Sequence, residues 1–220
     1  MAKEKKEAVR KGFYFNQQNC IGCKTCQVAC KDKNDLGVGI LFRHVTDYEV
    51  GSYPAAKAYH YAATCNHCKD PACTAVCPNA AMYIDEEDGT VQHDDEKCID
   101  CEYCVKACPY GVPQYLEDIK KVHKCDACIG LRALGEQPAC VAACPMRAFE
   151  FGSIEELRSA HPDAVDSIVI LPDPAQTNPS VAIDPKKAAL EPNPVPVVLY
   201  PLFRRQAAAA FSLPVAAACP

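Results

Sequence analysis

Residues Cys98–Pro109 read C-I-D-C-E-Y-C-V-K-A-C-P, four cysteines at spacings of two, two and three residues with a proline behind the fourth. That run is the bacterial signature for cubane iron–sulfur ligation. Its first three thiols lie close enough on a tight turn to hold three corners of one cubane. The fourth is carried away on a short helical turn, which the following proline cannot continue. Cys108 can therefore reach a second cluster, so the run demands a partner motif elsewhere in the chain.

Three more quartets supply that partner. Cys20, Cys23, Cys26 and Cys30 repeat the spacing, with Lys31 where the proline would stand. Cys65, Cys68, Cys73 and Cys77 widen the middle gap to four residues and precede Pro78. Cys125, Cys128, Cys140 and Cys144 widen it to eleven and precede Pro145. Compact and expanded quartets thus alternate along the chain, and two ferredoxin-like modules of two cubanes each account for the repeat. Sixteen of the 17 cysteines are used in this way; Cys219 is left over, a free thiol by default.

Two rival chemistries fit the cysteines less well. Zinc is held by CxxC pairs, but zinc ribbons use two separated pairs, whereas three cysteines fall within seven residues in two of these quartets. A disulfide scaffold scatters its cysteines as loop staples rather than gathering them in quartets. A brown protein with broad absorption near the violet means clusters; a colourless one means zinc or disulfides.

Composition narrows the rest. With 220 residues and 49% hydrophobic content, the chain can bury one or two small cores. A formal charge of -5 is mild, and each oxidised cubane adds about two negative charges, which speaks against a nucleic-acid partner. There is no run of roughly 20 apolar residues, so no direct membrane span is expected. The basic start Met1–Lys11 is not followed by an apolar stretch or a twin arginine, so no export signal is expected. No nucleophile–base pair stands out, and no catalytic residue is assigned. Of the six histidines, His67 lies between Cys65 and Cys68; a place beside a cluster suits it better than a place on iron, because its quartet is already complete. Lys24, Lys69 and Lys124 flank quartets and read as solvated side chains, the alternative being that they raise cluster potentials.

Between the quartets the pattern is α+β. Strands are expected at Phe13–Asn16, His44–Val50, Tyr59–Ala63 and Ala148–Phe151, and hairpins at Met82–His93, around Gly89, and at Gln114–His123. Lys31–Asp35 reads as a turn leaving the first quartet. Ser153 and Glu156 form a capping box for a short helix that stops before Pro162, and Ser167–Leu171 reads as one more strand. From residue 172 to 220 the chain carries ten of its 18 prolines and no glycine. That tail is expected to be extended and stiff, wrapping a partner or its own surface, with 195–203 and 207–218 as docking pieces.

The residues between the ligands carry a resemblance. C-I-G-C-K-T-C at Cys20–Cys26, C-N-H-C-K-D-P-A-C at Cys65–Cys73, C-P-Y-G-V-P-Q-Y at Cys108–Tyr115, K-C-D-A-C at Lys124–Cys128 and F-G-S-I-E-E-L-R at Phe151–Arg158 resemble the iron–sulfur subunit of dimethyl sulfoxide reductase. The resemblance covers roughly residues 12 to 185 and stops near Lys186. It implies a nested exchange of ligands among four [4Fe-4S] clusters. Cys20, Cys23 and Cys26 would share a cluster with Cys144, and Cys125, Cys128 and Cys140 with Cys30. Cys65, Cys68 and Cys73 would take Cys108, while Cys98, Cys101 and Cys104 would take Cys77. Loop-closure entropy alone favours joining neighbouring quartets, so the nesting of first with fourth comes from the resemblance. An outer module (12–55 with 115–171), an inner module (56–114) and the tail (172–220) follow from it.

The resemblance also implies a role: electrons relayed from a quinol-oxidising membrane subunit to a molybdenum bis-pterin catalytic subunit that reduces dimethyl sulfoxide. Alternatives within the family are polysulfide, thiosulfate, tetrathionate and nitrite reductases and formate dehydrogenases. A metal-stabilised scaffold is the alternative of a different class. In related nitrate reductases tryptophan stands at the position of Cys101 and that cluster loses an iron; here four complete cubanes are expected. The location implied is peripheral, on the outer face of the cytoplasmic membrane through co-export with the catalytic subunit, with the cytoplasmic face as the alternative.

Overall fold

The chain folds as an α+β protein whose short helices grow out of the cysteine motifs and whose strands lie between them. The structure, a computed structural model, describes residues 9–197. In chain order the elements are β1 (Lys11–Asn16), α1 (Thr25–Lys33), β2 (His44–Val50), β3 (Lys57–Ala63), α2 (Ala72–Ala75), β4 (Met82–Ile84), β5 (Val91–His93) and α3 (Tyr103–Ala107). Then follow β6 (Gln114–Leu116), β7 (Lys121–His123), α4 (Ile129–Ala133), α5 (Ala139–Ala142), β8 (Phe149–Ser153), α6 (Ile154–Ala160), β9 (Val181–Asp184) and β10 (Val195–Pro196).

F-Y-F at residues 13–15 makes β1 the central strand of a sheet ordered β8-β1-β9. Phe13 lies opposite Phe151 on antiparallel β8 and Val181 on parallel β9, and Phe15 lies opposite Phe149 and Ile183. Because side chains alternate along a strand, these residues form one face, which joins the cysteine-rich core. Tyr14 and Ala182 point the other way, onto Ile154 and Leu157 of α6. Helix α6 starts where its capping box predicts: the Ser153 hydroxyl accepts from the Glu156 N–H at 3.4 Å. A second sheet, β10-β2-β3, pairs His44–Val50 with Lys57–Ala63, and the remaining strands form two hairpins, β4-β5 and β6-β7. Gly89, at φ 68°, ends the turn between β4 and β5 against Arg10.

Three expectations need correction. Lys31–Asp35 is no turn at its start, since α1 runs through Lys31 to Lys33. Unlike proline, lysine keeps its backbone N–H and has no ring to clash, so the helix continues. Ser167–Leu171 is not a strand; the chain turns, with the Leu171 N–H on the Ile168 carbonyl at 2.9 Å. Only Val165 bridges to Ile183 there: β-branched residues without a partner edge do not make a strand.

The tail, for its part, is not simply extended. Two 3-10 turns, Pro174–Gln176 and Lys187–Leu190, interrupt it, and β9 is a sheet strand with Ala182 and Ile183 wholly buried. Its prolines stand outside β9, leaving V-A-I free to donate to the sheet. Cys219 and the expected docking pieces beyond Val197 lie outside the described residues.

Candidate iron–sulfur centres

Each quartet uses the same local device. Its third and fourth cysteines stand four residues apart across one helical turn: Cys26 and Cys30 in α1, Cys73 and Cys77 at α2, Cys104 and Cys108 at α3, Cys140 and Cys144 at α5. Helix α1 has nine residues and the other three only four or five, all too short to be stable alone, so something beyond helix propensity must hold them. The loops before them are bent in an uncommon way. Lys24, His67, Asp100, Glu102, Ala127 and Cys128 all have positive φ without being glycine. Such conformations cost energy and persist where the surroundings fix them. At Gly22, φ is 68° and a Cβ would lie 2.5 Å from His60 Nδ1, so position 22 calls for glycine.

Tertiary packing brings thiols of different quartets together. Cys65, Cys68 and Cys73 line one hollow of about 360 Å³, its solvent side included, and the fourth cysteine on its wall is Cys108. Burial pushes Cys73 up to about 12, with the charges of Cys65, Cys108 and Cys68 adding to the effect. Burial likewise raises Cys30, whose thiol neighbours are Cys125, Cys140 and Cys128. Cys20 is raised by burial, with Cys144 and Cys23 adding. Burial raises Cys104 to about 11 beside Cys101 and Cys77, and Cys98 leads into the same turn, its carbonyl accepting from Lys121 at 2.6 Å.

The donor set fits [4Fe-4S] cubanes. All sixteen described cysteines are free of disulfides, and ten of them are buried, which is costly for thiols that must ionise unless a metal takes the charge. Donors are aimed at sulfur: Ala81 N–H to Cys77 at 3.2 Å, Ala127 N–H to Cys125 at 3.4 Å, Ala148 N–H to Cys144 at 3.4 Å, and Thr25 Oγ1 to Cys23 at 3.3 Å. Hydrogen bonds to cluster sulfur are one of the main means of setting a potential.

His67 lies among thiols of two quartets. It is wholly buried, its Nδ1 accepts from the Val91 N–H at 3.0 Å, and its Nε2 lies 3.9 Å from Cys125 Sγ. Its backbone thus belongs to the second quartet and its ring touches the fourth. The three lysines differ. Lys69 is exposed; Lys24 pairs with Asp47 at 3.0 Å. Lys124, expected to be solvated, is buried, its Nζ donating to the carbonyls of Val91 and Cys125. Sequence reasoning missed Arg43, a fully buried cation beside the core phenylalanines. Charge in an apolar neighbourhood was the only signal, and L-F-R-H does not distinguish it from a surface arginine. It also missed Arg10, whose Nη1 donates to the carbonyls of His67, Cys68 and Gly89 at 3.2, 3.2 and 2.8 Å.

Known proteins agree with this chemistry. Residues 56–154 match the family model described as a 4Fe-4S dicluster domain. The probable anaerobic dimethyl sulfoxide reductase subunit YnfG of Escherichia coli K12 is 45% identical over 182 residues, covering 79% of this chain and 88% of that protein. The B subunit of anaerobic dimethyl sulfoxide reductase from the same organism is 44% identical with the same coverage. Its counterpart in Haemophilus influenzae is 44% identical over 189 residues, covering 81% and 90%.

Proposed function

The chain belongs to the iron–sulfur subunit family of anaerobic dimethyl sulfoxide reductases, and from that premise we propose that it relays electrons to a catalytic subunit that reduces dimethyl sulfoxide. It is an electron-transfer subunit of an oxidoreductase complex carrying four [4Fe-4S] clusters. The ligand sets of our reading are Cys20/Cys23/Cys26/Cys144, Cys125/Cys128/Cys140/Cys30, Cys65/Cys68/Cys73/Cys108 and Cys98/Cys101/Cys104/Cys77, held in nested outer and inner modules. The observation that carries it is the gathering of thiols across quartets, above all Cys108 on the wall of the hollow made by Cys65, Cys68 and Cys73. When bound, such clusters accept and donate single electrons.

The residues between the sets support a linear order. Cys26 of the first set and Cys140 of the second are electrostatic neighbours, as are Cys65 and Cys125 of the third and second. Cys73 and Cys104 share one apolar cluster with Met82, Val91 and Val122, which joins the third set to the fourth. In this order the second set is wholly buried and the third nearly so. The first set has Cys23 exposed, and the fourth has Cys77, Cys98 and Cys101 half-buried. Sealed middle and open ends suit a conductor that meets one partner at each end. We assign those partners as a molybdopterin catalytic subunit and a quinol-oxidising membrane anchor, with the complex on the outer face of the membrane. No helix among the described residues is long and apolar enough to cross a membrane, and we assign the anchoring to the membrane subunit.

The test uses the assembled complex. A quinol analogue should reduce the clusters and dimethyl sulfoxide should reoxidise them. Clusters that stay oxidised would leave only a scaffold. Reduced clusters that ignore dimethyl sulfoxide but respond to polysulfide, tetrathionate or nitrite would move the complex to another substrate.

A further inference from the structure

Arg43 is an anomalous charge among the described residues. It is 2% exposed, just ahead of β2. Among the described residues no carboxylate lies within ion-pair distance of it, although ten other pairs form. Its Nη1 donates to the Ala62 carbonyl at 3.0 Å, while Nε and Nη2 are buried without a hydrogen-bond partner. The guanidinium lies 4.5 Å from the Phe149 ring centroid and 5.1 Å from that of Phe13. Arginine is not deprotonated in proteins, so this positive charge cannot be relieved by losing a proton. Burying an uncompensated charge costs several kcal/mol or more, and two ring faces return only about 1–2 kcal/mol each. Some other negative charge must be near.

The surroundings offer one candidate. Phe13 and Phe149 pack in the same core as Cys26, Cys30, Cys125 and Cys140. Cys140, Cys26, Cys125 and Cys30 are also the groups that favour the charged form of Arg43 against the cost of its burial. Three of these belong to the second ligand set and one to the first.

We propose that Arg43 is the internal counter-cation of the first two clusters, a fixed positive charge at their boundary that holds up their reduction potentials. This rests on the ligand sets proposed above. The direction follows from Coulomb's law: reduction adds a negative charge, and a nearby buried cation stabilises it. The rival role is packing alone, in which the guanidinium merely fills the space between Phe13 and Phe149.

Two variants separate the roles in the assembled, anaerobic complex, read by EPR-monitored redox titration alongside iron and sulfide content. R43M keeps the bulk and loses the charge; R43K keeps the charge. We expect R43M with full iron to shift the reduction equilibrium of one or both outer clusters toward the oxidised form by about tenfold, which is about 59 mV for a one-electron couple. The inner pair should stay in place, and R43K should fall between R43M and the parent. Four unchanged potentials in an R43M complex with full iron would overturn the proposal. Should R43M lose iron, the charge role requires R43K to keep it; loss in both variants would make guanidinium shape the requirement and overturn the proposal too. A parent chain without iron would instead defeat the ligand sets themselves.

Discussion

The middle and the ends of the thiol series are built from the same ligand, yet their surroundings differ. Cys30, Cys125, Cys128 and Cys140 are all buried, while Cys77, Cys98 and Cys101 are half-buried and Cys23 is exposed. The middle is also where the buried cations and the buried imidazole converge: Arg43, Lys124 and His67. Apolar burial alone disfavours added negative charge, so a sealed site needs fixed positive groups to remain reducible. The solvent-facing thiols of the end sets, Cys23 above all, have water to share that work. Spacing of cysteines therefore specifies a cluster, and the fold around it specifies how that cluster behaves.

The largest expected effect separates C140S from C23S. Cys140 is 4% exposed in the sealed set, and serine there should eliminate a whole cluster and impair assembly of the chain. Cys23 faces solvent, and its serine variant should cost about one iron and produce a three-iron EPR signal. Equal losses in the two proteins would break the contrast.

Brief exposure to air sharpens it further. Oxidation follows access, so the set containing Cys77, Cys98 and Cys101 should degrade before the set containing Cys30, with EPR signals lost in that order. The reverse order would mean that accessibility does not govern lability here.

The scaffold should show the same gradient. Ile183 is wholly buried on β9 in the core that also holds Cys26, Cys30, Cys125 and Cys140, and I183A should destabilise the chain by about 2–5 kcal/mol. Ile84, 37% exposed on the β4-β5 hairpin, should cost about 1 kcal/mol or less in I84A. Denaturant titration of the anaerobic proteins measures both, and similar losses would contradict the packing described. Smallest of all should be K57A. Lys57 meets Glu191 at 2.6 Å, but the lysine side chain is 55% exposed, so removing the pair should change stability by about 0–1 kcal/mol.

Much of this was legible in the residues. The four quartets stand in the sequence, and turn chemistry marked Gly89, the Ser153–Glu156 cap and most strand positions, because these depend on a few neighbouring residues. What the sequence concealed is long-range. Ile183 pairs with Phe15 of β1 from the far end of the described chain, and V-A-I amid prolines reads locally as tail. L-F-R-H does not announce a buried cation, since the burial of Arg43 arises only when β1, β8 and the cysteine helices close around it. Lys124 read as solvated for the same reason: the carbonyls that hold it belong partly to Val91, on another hairpin. The crosswise gathering of thiols is not in the spacing, which favours joining neighbours; it came from the resemblance carried by the residues between the ligands.

Counting iron and acid-labile sulfide in the anaerobically purified chain, with zinc measured on the same sample, tests the central claim most directly. Four cubanes require about sixteen irons and about sixteen sulfides per chain, with essentially no zinc. A pale protein carrying zinc, or one with about twelve irons or fewer, would contradict it.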